Sequence, residues 1–123
     1  MIVYLDSSAV VRSYLTDETG GASTKDLIHD PDITTVTGSW TRTEVTSAFL
    51  RAERTGRFVF ADLEEAFLRD TDPVGGTLLI VDANQAEVEL LALRTAREHG
   101  QAAFATRDAE QVLVARAWGY ILI

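Results

Sequence analysis

Apolar residues open the chain as a short run, Ile2-Val3-Tyr4-Leu5, rich in β-branched and aromatic side chains, and the polar triplet Asp6-Ser7-Ser8 stops it. That pattern predicts a strand over 2–5 handing over to a helix, because Asp and Ser are favoured helix N-caps. Ala9, Val10, Val11 and Tyr14 supply the helix's apolar positions, and Gly20-Gly21 ends the pattern. A second short helix is expected up to about residue 30, ahead of Pro31, and then a β-branched strand over 33–37. Val45, Ala48, Phe49 and Ala52 recur at i, i+3, i+4 and i+7, which predicts a helix over 39–54 closed by Thr55-Gly56. A further helix over 61–69 is bounded by Asp72-Pro73 and Gly75-Gly76, and 78–81 reads as a compact apolar strand.

The second part repeats the pattern. The longest helix is expected over 84–99, with Val88, Leu91, Ala92 and Ala96 inward and Gly100 as its stop. A small strand over 102–105 leads into the polar cap Thr106-Arg107-Asp108, a helix carrying Ala109, Val112, Leu113 and Ala117, and a closing strand over 120–123. Short apolar strands separated by helices are βαβ units. The fold class is therefore α/β, a three-layer α/β/α arrangement around a mostly parallel sheet of about five strands. With 123 residues and no linker, repeat or low-complexity stretch, residues 1–123 read as one domain.

Composition narrows the chemistry. Hydrophobic residues make up 46% and charged residues 24%, a globular balance rather than a disordered one. The chain has no cysteine, which excludes disulfides, thiolate metal sites and cysteine nucleophiles and suits a reducing, cytoplasmic setting. No basic leader precedes Asp6 and no apolar run approaches the roughly 18 residues of a membrane span, so neither secretion nor anchoring is expected. The net charge of −8 argues against holding nucleic acid by a broad basic surface. An excess of acid is also what hard divalent cations require, so the charge points both ways.

Three carboxylates fall where a strand hands over to a helix: Asp6, Glu44 and Asp108. In a parallel sheet the carboxyl ends of the strands share one edge, so acids distant in sequence converge there. Each position also suits helix capping: Asp6 as an N-cap, Thr41 with Glu44 as a capping box, and Asp108 with Gln111 as a looser one. As a group beside Ser7, Ser8 and Thr106, the acids suit Mg²⁺ or Mn²⁺, which take carboxylate oxygens and keep several waters. A metal held there would activate a bound water toward a phosphodiester, and no side-chain nucleophile is needed.

Other chemistries have less support. His29 and His99 are the only histidines and fall on separate predicted helices, so a Ser-His-Asp triad is not expected. Gly20-Gly21 and Gly75-Gly76 belong to no phosphate-binding pattern and read as turns. A phosphoacceptor site would need a positioned lysine, and the only one, Lys25, falls on an early helix; a haloacid-dehalogenase-like site would want Asp where Ser8 stands. Trp40 and Trp118 are assigned to packing on burial tendency. Arg42, Arg51, Arg54 and Arg57 cluster on the third helix and its following turn, which fits either a solvated face or an RNA backbone contact, with Arg42 nearest the acids.

These residues resemble a known family. MIVYLDSSAVVRSYL is similar to the opening of PIN-domain proteins, in particular the VapC-type toxin ribonucleases, with a strand, an Asp and a hydroxyl pair. SWTRTEVTSAFLRAERTGR resembles their second block, and FATRDAEQVLVARAWGYILI their closing one, in which Thr-x-Asp leads into an Ala-rich helix, a Gly and a last strand. The resemblance implies a Mg²⁺-dependent endoribonuclease, the toxin of a type II toxin-antitoxin module acting on tRNA or rRNA. It further implies that Asp6, Glu44 and Asp108 bind metal with support from Ser8 and Thr106, and that the partners are a cognate antitoxin and a second copy in a homodimer.

The chain departs from that pattern in one block. The family carries a further helix, opening with an Asp in a D-A-x-H-x-A-like run, between its long helix and its last Thr-x-Asp strand. Here Glu98-His99-Gly100 is followed within eight residues by Asp108. Asp108-Ala109 also aligns as a remnant of that helix; either way three family acids remain. The alternative expectation is a weakened or inactive PIN domain that binds antitoxin or RNA without cutting.

Overall fold

In a computed structural model, which describes residues 1–81 with the strand segments 102–105 and 121–122, the opening run is strand β1 (Ile2–Leu5). Its burial alternates, and Val3 and Leu5 are fully buried. The chain turns at Asp6, whose carbonyl accepts from the Ala9 and Val10 amides, and enters helix α1 (Ser7–Tyr14). Helix α2 (Gly21–His29) folds back on α1 after Gly20, which takes a left-handed φ of 85°. Gly21 is sterically required, because a Cβ there would collide with the Arg12 carbonyl.

Strand β2 (Thr34–Gly38), helix α3 (Trp40–Arg54), helix α4 (Phe60–Asp70) and strand β3 (Leu78–Val81) follow. The molecule is thus mixed α/β, with β1 flanked by β2, β2 by β3, and all pairing parallel. Backbone pairing continues beyond β1 through β4 (Ala102–Ala105) and β5 (Ile121–Leu122), also parallel, in the order β3-β2-β1-β4-β5. The helices expected over 84–99 and from Ala109 onward lie outside the described residues, as do His99, Thr106, Asp108 and Trp118.

Register decides which residues meet the helices. Val3 pairs with Thr35 and Thr35 with Leu78, so these three share a face, and Val3, Leu5 and Leu78 join a core cluster drawn from all four helices. Tyr14 of α1, Phe49 of α3 and Phe67 of α4 meet edge to face at centroid separations of 5.6–6.2 Å. Thr35 and Thr37 occupy core positions on that face with no exposure at all. Their hydroxyls are satisfied within the fold: Thr35 donates to the Thr77 carbonyl at 2.8 Å, and Thr37 shares a 2.7 Å hydrogen bond with Thr41. Among the described residues no helix is long and apolar enough to cross a membrane.

Candidate functional site

Asp6 and Glu44 reach the same edge of the sheet by different routes. Asp6 follows the last residue of β1 and stands at the N-cap of α1 with extended backbone angles, φ −67° and ψ 157°. Its carboxylate makes no capping hydrogen bond to the helix. It accepts instead from the Ser8 hydroxyl at 2.9 Å, and it is half-buried. Capping therefore does not account for this acid.

Glu44 lies in the second turn of α3, whose N-cap is Ser39. The expected capping box does not form: Thr41 is inside the helix, and its hydroxyl meets Thr37 on β2 rather than a backbone amide. Glu44 is exposed, and its Oε2 accepts from the Ser7 hydroxyl at 2.8 Å across 37 residues of sequence. Ser7 is nearly buried, at 9% exposure. The corner after β1 is thereby closed onto α3, with two carboxylates each accepting from a neighbouring hydroxyl.

Sequence reasoning named Ser8 as a supporting residue and passed over Ser7 in that role. The only signal for Ser7 was its place in the hydroxyl pair after Asp6; its partner could not be read from local spacing. Asp108 and Thr106, expected to complete the site, lie outside the described residues. Among the described residues no group of three or more His, Asp or Glu side chains is placed to hold a metal ion. The pair Asp6 and Glu44 offers oxygen donors only, the donor class preferred by Mg²⁺ and Mn²⁺.

Arg42 stands two residues before Glu44, about 200° around the helix. It lines a groove with Phe49, Phe60 and Phe67 between α3 and α4, and also a cavity of about 490 Å³. Ile28, His29, Thr71, Leu78 and Ile80 also line that cavity, and none of Asp6, Ser7, Ser8 or Glu44 does. The cavity and the acids are therefore separate features.

Trp40 is the clearest reversal. Assigned to packing by burial tendency, it is 72% exposed. The first turn of α3 is oriented by Thr41 and Val45, at 4% and 0% exposure, so the preceding residue is turned outward.

A second polar cluster was not anticipated. The Tyr14 hydroxyl donates to Asp70 Oδ2 at 2.7 Å, and His29 Nε2 lies 3.3 Å from Asp70 Oδ1. His29 Nδ1 faces the Lys25 carbonyl at 3.0 Å, an acceptor only, so that nitrogen carries the hydrogen. Burial, reinforced by the hydrogen bond to Asp70 and its charge, holds the Tyr14 phenol well above the usual tyrosine range. At the surface Arg57 grips Asp17 with Nε at 2.7 Å from Oδ2, and this hydrogen bond lowers the Asp17 carboxyl below its ordinary value.

Compared with known proteins, the chain matches no family model, no curated protein and no solved structure.

Proposed function

We propose that this chain is a metal-dependent endoribonuclease of PIN-like architecture, a five-strand parallel sheet between two helix layers. The observation that carries the reading is the Ser7–Glu44 hydrogen bond, which ties the residue after Asp6 to Glu44 at the carboxyl edge of the sheet, while the Asp6 carboxylate makes no capping hydrogen bond. In this reading Asp6 and Glu44 present carboxylate oxygens to the cation, with Asp108 as the third donor. Ser8 and Ser7 fix the orientation of the two carboxylates through the hydroxyls they donate. Thr106 supports Asp108, and Arg42 contacts the RNA backbone away from the acids. Bound Mg²⁺ or Mn²⁺ supplies an activated water and neutralises charge on the leaving oxygen. The biological assignment that accompanies this is the cytoplasmic toxin of a type II toxin-antitoxin module, a homodimer held by a cognate antitoxin and acting on tRNA or rRNA.

The test is cleavage of total cellular RNA by purified protein with Mg²⁺ or Mn²⁺, beside Asp6→Ala and Glu44→Gln, with the cut ends mapped. Cleavage should stop on adding chelator and fall by more than about 100-fold in either variant, at or beyond the range for lost supporting contacts to a metal ligand. RNA left intact by wild type with metal present overturns the reading. A second reading, a module that binds antitoxin or RNA without cutting, draws on the short stretch between Gly100 and Asp108, which leaves no room for the further acid-bearing helix of the family pattern. Growth arrest on induction that Glu44→Gln relieves favours the enzyme, and unaffected growth favours the module.

A further inference from the structure

Trp40 is the first residue of α3 and Glu44 follows it by four, so the two side chains lie on one face of the helix with Cβ atoms about 5–6 Å apart. The rotation of that face is set from below, where the Thr37–Thr41 hydrogen bond and the fully buried Val45 anchor the adjoining side of the helix, about 100° around. Glu44 in turn is tied to Ser7, the residue after Asp6. A 72%-exposed indole therefore stands about one helical turn from Glu44, which is itself tied to the residue after Asp6.

We propose that Trp40 is the base-stacking platform of this site, taking the face of an unpaired nucleobase that flanks the phosphate a divalent cation at Asp6 and Glu44 would hold. This rests on the metal-nuclease reading and specifies its substrate as RNA with an unstacked base. One observation favours a base over a protein partner. The exposed neighbours of Trp40 on this turn are Ser39, Arg42, Thr43 and Glu44, all polar, whereas a protein-docking aromatic sits within a desolvated apolar patch. The chain's net charge of −8 argues against a general electrostatic attraction for RNA, so RNA recognition here depends on local contacts. Stacking is the contribution that survives in an acidic protein, because every base presents a π-face and no compensating cation is required.

The test uses the full chain and a labelled single-stranded RNA octamer, with an abasic nucleotide moved along it in parallel. Affinity is read by fluorescence anisotropy in Ca²⁺ and cleavage in Mn²⁺. Trp40→Ala is expected to weaken binding by about 5- to 150-fold, the range for loss of one base–aromatic stack. Trp40→Phe should recover most of the loss, and all variants should melt with wild type because the ring is exposed. One abasic position should cost wild type a similar factor and cost Trp40→Ala nothing more, the coupling expected of groups in contact. In a Trp118→Phe background the remaining tryptophan fluorescence should be quenched on binding. Wild-type cleavage with Trp40→Ala unchanged in affinity and in its abasic penalty overturns the stacking role alone. So does Trp40→Ala weakening self-association in sedimentation without altering RNA affinity. Wild type that neither binds nor cleaves RNA overturns the nuclease reading and this inference with it.

Discussion

The two ends of the sheet each carry a carboxylate cluster, and they are built to opposite specifications. At the carboxyl end, Glu44 is exposed and Asp6 half-buried, and each accepts from one serine hydroxyl. At the amino end, Asp70 closes α4 at 6% exposure, its carboxylate meets the buried Tyr14 phenol and His29, and its backbone carbonyl accepts from the Thr77 amide at the entry to β3. Asp70 is committed to the fold on every side. The acids at the other end are positioned but accessible. Burial separates a structural acid from one available to a ligand, because a charge removed from water must be paired within the protein.

The contrast breaks most visibly at Asp70. Asp70→Ala leaves the Tyr14 hydroxyl buried without its acceptor and should cost about 2–3 kcal/mol in urea unfolding, while Asp70→Asn, which keeps an acceptor, costs less. Asp6→Ala should cost about 1 kcal/mol or less, since it removes no helix cap. Equal losses at the two ends would erase the distinction.

Ser7→Ala sharpens the same comparison from the accessible end. On the metal-nuclease reading it should weaken Mn²⁺ binding, measured by calorimetry, by about 10- to 100-fold, the usual effect of removing a group that orients a ligand. Ser7→Thr, which keeps the hydroxyl, should retain affinity. Unchanged affinity in Ser7→Ala would mean that Glu44 needs no orienting group.

Tyr14→Phe should cost about 1 kcal/mol at neutral pH. Its pH dependence follows from the sign of the shift. The folded phenol titrates above the ordinary value of about 10, so its stabilising contribution is complete below that pH. Above it the unfolded chain loses the proton while the folded chain keeps it, and stability falls as pH rises. Wild type should therefore lose stability relative to Tyr14→Phe in alkaline urea titrations; parallel curves would refute the buried Tyr14–Asp70 bond. The smallest effect is expected at Arg57. Its pair with Asp17 is exposed on both sides, so Arg57→Ala should leave the melting temperature unchanged at about 0.15 M salt.

Much of the local structure was legible. The strands at 2–5 and 78–81 and the helices around 7–14 and 40–54 follow from apolar spacing and from Gly, Pro and hydroxyl punctuation, signals that act over a few residues. The parallel pairing of β1, β2 and β3 followed from the alternation of strands and helices. Residues whose fate depends on what opposes them were less legible. Thr35 and Thr37 are polar yet fully buried, because the Thr77 carbonyl and the Thr41 hydroxyl satisfy their hydroxyls. Trp40 looks like core and is exposed, because Thr41 and Val45 set the rotation of α3.

By itself the sequence determined the element order and drew attention to Asp6 and Glu44, since a strand followed by a polar cap is a local pattern. It did not determine which acids would remain accessible. Ser7 and Glu44 are 37 residues apart, and Tyr14 and Asp70 are 56 apart. Only the crossing of α1 against α3 and α4 brings each pair together, leaving one open to solvent and sealing the other. Contacts over such separations depend on packing geometry, because helical and strand periods specify a residue's face and not the residue that will stand opposite it.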